Sequence, residues 1–292
     1  MQTSIVRTPD GSELHSESFG SPGDPPVLLI MGATASGRWW PDDFCRKLAE
    51  SGIYVIRYDH RDTGESRKYP AGEPGYSLSD LAADALAVLD AHGVARAHFA
   101  GMSLGGWLTQ MLALTYPERV LSITLIASEP LATPDPEIPP IDPAVIAYHS
   151  AAGELDWTDR SAVVAFQAGL WRLLTGPERS FDVDSVAAIA SADFERCGDP
   201  LAMFNHAMLG GDPEEMQPLL DRLGEIRVPV LIVHGTHDLV LSYEHALRSA
   251  KRMPHARLLT LQGAGHELNR QDWPEIIEGM RSAFGQADSK RP

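Results

Sequence analysis

Residues Phe99-Ala100-Gly101-Met102-Ser103-Leu104-Gly105-Gly106 constrain the fold more tightly than any other stretch of the chain. A short apolar run from Ala97 leads into them, and an apolar helical pattern leads out of them toward Tyr116. A serine at such a junction sits on a sharp strand-to-helix turn that strains its backbone and pushes its hydroxyl out of the fold. Gly101 and Gly105 are required because strand and helix approach too closely there for any larger side chain. Ser103 is thereby presented as a nucleophile. Such a nucleophile needs a histidine to take its proton, a carboxylate to orient that histidine, and donors for the oxyanion that develops.

The remainder of the chain offers all three. The apolar run Val228–Val233 reads as a buried strand and ends in His234-Gly235-Thr236-His237-Asp238. A second run, Ala256–Leu261, ends in Gly263-Ala264-Gly265-His266-Glu267. His266 combines a preceding strand, a glycine-rich loop and a place near the end of the chain, which singles it out as the base. Asp238 is the candidate acid, with Glu129, after the run ending at Ser128, as its rival. His237, beside Asp238, reads as a surface residue or as a support behind the site. His234-x-x-His237 crosses a strand-to-loop break without further ligands, so no metal is expected. One oxyanion donor is the N–H of Leu104. The other comes from the loop after the early strand Pro26–Met31, where position selects Ala33.

Strand and helix patterns alternate through most of the chain, which implies a parallel sheet with its ligand-binding loops at the carboxyl ends of the strands. Residues from about 4 to 20, with Asp10-Gly11, predict an opening hairpin. Ile53–Asp59 and Val120–Ala127 predict further strands, and Ser79–Ala91 a helix that Ser79 can cap. Pro274–Phe284 predicts a terminal helix. From 129 to 227 the pattern stops. Prolines open this stretch, and helix-length segments follow that carry Trp157, Phe166, Trp171, Phe181, Phe194 and Phe204. The expected organisation is a core of residues 1–128 and 228–292 with a helical subdomain of residues 129–227 inserted into it.

The chain order Ser103, Asp238, His266 and the three strand-end positions resemble the α/β-hydrolase fold, and the resemblance covers nearly the whole chain. It implies an α/β architecture: a mostly parallel central sheet flanked by helices, with residues 129–227 as a helical cap over the active site. His60-Arg61-Asp62-Thr63-Gly64-Glu65-Ser66 is similar to a turn of that family in which a glycine usually stands where this chain has Asp62. Arg57, Arg61 and Asp62 are read as holding that turn together. Met31-Gly32 stands where many members carry His-Gly. Together with Tyr58–Gly64 and Asp80–Ala85, it resembles the aclacinomycin methylesterase branch and the neighbouring serine esterases that open macrolide lactones.

The resemblance implies a serine esterase that works through an acyl-enzyme on a bulky natural-product ester or lactone, with water as co-substrate and antibiotic inactivation as one role. Contacts to such a substrate fall to Trp39 and Trp40, in the loop after the oxyanion strand, to Met102 beside the nucleophile, and to Trp171 in the cap. Serine in place of aspartate argues against haloalkane dehalogenase and epoxide hydrolase relatives. No cofactor is expected. A perhydrolase or carbon–carbon bond hydrolase on the same triad, and a non-catalytic receptor on the same scaffold, are the alternatives.

Composition narrows the partners further. The 292 residues suit one large α/β domain with an insertion, and a 43% hydrophobic content supplies its core. A net charge of −16 disfavours nucleic acid and anionic membranes as partners. No apolar run reaches the length of a membrane span. Met1–Arg7 lacks the pattern of a signal peptide, and Cys45 and Cys197 are too few for a disulfide framework; a cytoplasmic protein with reduced thiols is the expectation.

Overall fold

The apolar runs pair into one eight-stranded sheet in the computed structural model, which describes residues 1–209, 213–253 and 255–288. The strands are β1 (Gln2–Arg7), β2 (Glu13–Phe19), β3 (Pro26–Ile30), β4 (Tyr54–Tyr58), β5 (Ala97–Met102), β6 (Val120–Ile126), β7 (Val230–Gly235) and β8 (Ala256–Leu261). Their spatial order is β1-β2-β4-β3-β5-β6-β7-β8. β1 and β2 form the expected hairpin, and β2 runs antiparallel to β4. Every later pairing is parallel. Ile30 lies beside Gly101, Met102 beside Ile126, Ile126 beside Val233, and Gly235 beside Leu261. This register brings the loops after β3, β5, β7 and β8 to one edge.

Both faces of the sheet are covered, as a parallel sheet requires. The helices are α1 (Asp42–Glu50), α2 (Leu78–Ala91), α3 (Leu104–Thr115), α4 (Pro143–Ser150), α5 (Arg160–Leu174), α6 (Val183–Cys197), α7 (Pro213–Met216), α8 (Tyr243–Arg252) and α9 (Trp273–Asp288). Leu28, Ile30 and Phe99 join Leu81 of α2, Leu108 of α3 and Ala246 of α8 in one buried cluster. On the opposite face Val27, Leu29 and Ala100 join Phe44 of α1 and Trp273 and Phe284 of α9. Alternate residues of one strand thus feed opposite layers, the two-residue period of a pleated chain.

α2 is capped by Ser77 rather than Ser79. The Ser77 hydroxyl accepts from the Asp80 N–H, and the Asp80 carboxylate accepts from the Ser77 N–H. This reciprocal box needs the acid three residues after the hydroxyl, a spacing that Ser77 meets. The terminal helix also starts one residue earlier and runs further than Pro274–Phe284. Between β6 and β7 the described residues hold helices and turns and no strand. Val145 of α4 and Leu170 and Leu174 of α5 form a small core of their own there. Trp171 and Ala190 extend the layer beneath α1 and α9. Cys45 and Cys197 are free and buried. No helix among the described residues is long and apolar enough to cross a membrane.

Candidate active site

Ser103 sits between β5 and α3 at φ 51° and ψ −119°, a region sparsely populated by residues other than glycine, at a cost of about 1–3 kcal/mol. The surrounding backbone enforces it. A Cβ on Gly101 would lie 2.1 Å from the Gly105 carbonyl oxygen, and one on Gly105 would lie 2.1 Å from that of Ile30. The Ser103 N–H donates to the Ile126 carbonyl at 2.9 Å, and the Ser128 hydroxyl donates to the Ser103 carbonyl at 3.0 Å. Leu104 is the first residue of α3, where N–H groups have no acceptor within the helix.

The loop after β7 holds Asp238 in a tight turn. Its Oδ1 accepts from the N–H groups of Val240 and Leu241, both at 2.8 Å. Its Oδ2 accepts from His266 Nδ1 at 2.8 Å. His234 Nε2 stands 3.3 Å from that same oxygen and donates to the Leu241 carbonyl at 2.7 Å. Burial works against the charge of Asp238, yet the two histidines hold its carboxyl well below the usual range. Glu129 does not share this neighbourhood. Its Oε2 faces His245 at 3.8 Å, and burial raises its carboxyl above the usual value.

Ser103 and His266 line one cavity of about 340 Å³, together with Ala33, Met102 and Trp171. No hydrogen bond joins Ser103 to His266 among the described residues, and contacts of this kind commonly tighten only around a bound substrate. Trp171 stacks on Trp39 with ring centroids 4.5 Å apart. Trp171 lines both this cavity and a larger one of about 520 Å³, which Trp39, Phe181 and Trp273 also help to line; Trp39 itself is not in the wall of the Ser103 cavity. The Trp39 indole N–H donates to Asp193 Oδ2 at 3.2 Å.

The neighbouring Trp40 corrects the expectation of a substrate contact. It is 0% exposed and packs on Phe44 with ring centroids 5.7 Å apart. Its carbonyl accepts from Arg57. Both indoles belong to one buried cluster, but Trp39, at the end of the 3₁₀ turn Gly37–Trp39, also lines the larger cavity, whereas Trp40 is wholly enclosed.

The arginines and Asp62 are structural, but the expectation that both arginines hold the turn by local bonds is corrected: their partners lie on other segments. Arg57 pairs with Glu17 and Asp42, and Arg61 with Asp84 and Asp10. Asp62, at φ 68°, accepts from the Tyr69 N–H, the Tyr76 hydroxyl and the Asn205 amide. The Asp62 carboxylate therefore ties the turn to the segment between β6 and β7.

Glu267, next to His266, was not singled out from the sequence, although its position made it visible. Its carboxylate accepts from the N–H of Gly176, just past α5, and from that of Gly265 at 2.9 Å. The His266 N–H in turn donates to the Leu174 carbonyl at 2.9 Å. The end of α5 is thus fastened to the histidine loop. Burial, with Asp272 adding to it, outweighs these donors and pushes the Glu267 carboxyl up to about 7.

A carboxyl raised on folding favours the folded state at low pH and loses that advantage as pH climbs through the raised value. Thermal melts of the wild type are therefore expected to lose roughly 2–3 kcal/mol of stability from this group between pH 5 and pH 8. Glu267→Gln keeps an acceptor oxygen and removes the charge, so its melts should lack that component. Parallel pH–stability curves for the two proteins would contradict the assignment.

Sequence comparison adds to this geometry. The chain matches the family model described as alpha/beta hydrolase fold over residues 25–165, and the one described as TAP-like protein over residues 212–272. It is 35% identical to Rhodomycin D methylesterase DauP of Streptomyces sp. (strain C5), over 92% of this chain and 93% of that protein. Rhodomycin D methylesterase DnrP of Streptomyces peucetius is 34% identical over the same shares. Among solved structures, Est816, described as an N-acyl homoserine lactone degrading enzyme, superposes with a TM-score of 0.70 at 28% identity. That match covers 96% of this chain and 99% of Est816.

Proposed function

The chain belongs to the α/β-hydrolase family as an ester-cleaving hydrolase, and from that premise we propose that it hydrolyses the methyl ester of a bulky polyketide through an acyl-enzyme on Ser103. One observation carries the chemistry: Ser103 shares a cavity with His266, and His266 Nδ1 is bound at 2.8 Å to Asp238. With Nδ1 donating to the carboxylate, Nε2 is free to accept the Ser103 proton. The alkoxide attacks the ester carbonyl, and the N–H groups of Leu104 and Ala33 hold the resulting oxyanion. Collapse expels the alkoxide, methoxide in this reading, which takes the proton from His266. Water, deprotonated by His266, then attacks the acyl-enzyme and releases the carboxylate and Ser103. Asp238 stays ionised throughout and stabilises the imidazolium.

The methylesterases DauP and DnrP support the substrate class, and a cavity of about 340 Å³ walled by Met102, Trp171 and other apolar groups suits a large acyl portion. The helices between β6 and β7, which supply Trp171, act as the cap. Est816 favours a second reading, a lactone as the bond broken, in which the leaving alkoxide stays attached to the product.

Mass spectrometry of an ester library separates these readings. Loss of a methyl group from anthracycline methyl esters is expected, with Ser103→Ala slower by at least ~10,000-fold. Gain of one water by a macrolide would favour the lactone. Cleavage of short aryl esters alone, with both panels intact, would refute the polyketide assignment.

A further inference from the structure

The oxyanion loop Met31–Thr34 is held from two sides by histidines that the proposed chemistry does not use. On one side His60 Nε2 donates to the Met31 carbonyl at 2.9 Å. On the other, the Thr34 N–H donates to His206 Nδ1 at 3.0 Å. His206 Nε2 in turn donates to the Arg61 carbonyl at 2.8 Å. One ring nitrogen of His206 accepts and the other donates, so its contacts select a single neutral tautomer. The two imidazoles meet edge to face with centroids 5.7 Å apart, and both are buried. That burial lowers each to about 4, which keeps both rings uncharged.

Between these anchors lie Gly32 and Ala33. Thr34 has φ 62°, a left-handed conformation that a β-branched residue adopts only under external constraint. The orientation of the Ala33 N–H depends on this bend, because the peptide groups on either side of it are pinned.

We infer that His206 is a positioning residue, contributed by the inserted segment, that holds the oxyanion loop in its reactive shape through the Thr34 N–H. The inference rests on the reading that Ala33 supplies an oxyanion donor. His206 belongs to the 3₁₀ turn Pro200–Met208, far along the chain from the loop it holds. Its neighbour Asn205 donates to Asp62 at 2.8 Å and accepts from the Gly72 N–H at 2.7 Å. Asn205 and His206 together dock the insertion on the turn at residues 61–62. The oxyanion hole is therefore complete only with the insertion seated.

Three substitutions separate the two bonds of His206. His206→Asn places its side-chain oxygen where Nδ1 stands and falls short of Arg61. His206→Gln reaches the Arg61 carbonyl and offers Thr34 nothing. His206→Leu removes both. With p-nitrophenyl acetate as substrate, kcat is expected to fall roughly 10–100-fold in the glutamine and leucine variants. KM should change little, and the asparagine variant should recover most of the loss. Affinity for phenylboronic acid, whose adduct with Ser103 carries the tetrahedral oxyanion, should fall in step with kcat.

Amide hydrogen exchange supplies a readout free of turnover. The Thr34 amide should exchange slowly in the wild type and in His206→Asn, and rapidly in His206→Gln. Unchanged exchange at Thr34 in His206→Gln, or equal losses of kcat in the asparagine and leucine variants, would overturn the inference. If exchange responds as stated while kcat and boronate affinity do not, the clamp exists and the assignment of Ala33 as donor is what fails.

Discussion

Asp238→Asn is expected to lower kcat roughly 10,000-fold with little change in KM or in the folded structure. The reason lies in how the carboxylate is used. Oδ1 accepts from the N–H groups of Val240 and Leu241, so an asparagine must keep its oxygen on that side. Its NH₂ group then faces His266 Nδ1, where Oδ2 stood at 2.8 Å. Nδ1 must now accept, the imidazole proton moves to Nε2, and the lone pair that takes the Ser103 proton is lost. His234 Nε2, 3.3 Å from Oδ2, adds a second donor facing the new NH₂ group. Steady-state kinetics on p-nitrophenyl acetate, with a thermal melt to check folding, tests this. A folded variant within tenfold of wild type would show that Asp238 does not set the tautomer.

The second large effect is on stability. Arg61 Nε and one of its terminal nitrogens each donate to Asp84 at 2.7 Å, with Arg61 2% and Asp84 1% exposed. Asp84→Ala leaves a buried guanidinium with Asp10 as its remaining ionic partner, and the Asp10 side chain is half-exposed. Removing one member of a buried pair costs about 3–5 kcal/mol, and the surviving Asp10 contact places this case near 3. For a chain of 292 residues the melting temperature should fall by roughly 5 °C. A loss below about 1 kcal/mol in urea titration would mean that Asp10 and water replace Asp84 almost fully. The variant also loosens the turn whose Arg61 carbonyl holds His206, so its kcat should fall further than the fraction unfolded explains.

Much of this architecture was legible because it follows local rules. β8 occupies Ala256–Leu261, the residues of the apolar run, and the strand edge that gathers Ser103, Asp238 and His266 was visible as glycine turns after apolar runs. Errors arose where two neighbours had equal local claims. Ser77 and Ser79 can each cap a helix, and only the reciprocal bond with Asp80 decides between them. Trp39 and Trp40 are the same residue type in the same loop, yet one stacks on Trp171 at the wall of the larger cavity and the other is enclosed against Phe44. Asp62 has no local signal for its role, because the Asn205 amide that donates to it lies 143 residues further along the chain.

The chain on its own specified where each strand stops, where a side chain must be absent, and which hydroxyl, imidazole and carboxylate stand at those stops. Periodicity and the missing Cβ of glycine act over a few residues, so they are written locally. Folding decided which imidazole nitrogens carry protons, which tryptophan reaches a cavity wall, why Glu267 is so reluctant to ionise, and that His206 accepts from the distant Thr34 N–H. Those properties come from hydrogen-bond geometry and loss of water between segments remote in the chain. They exist only when the segments meet.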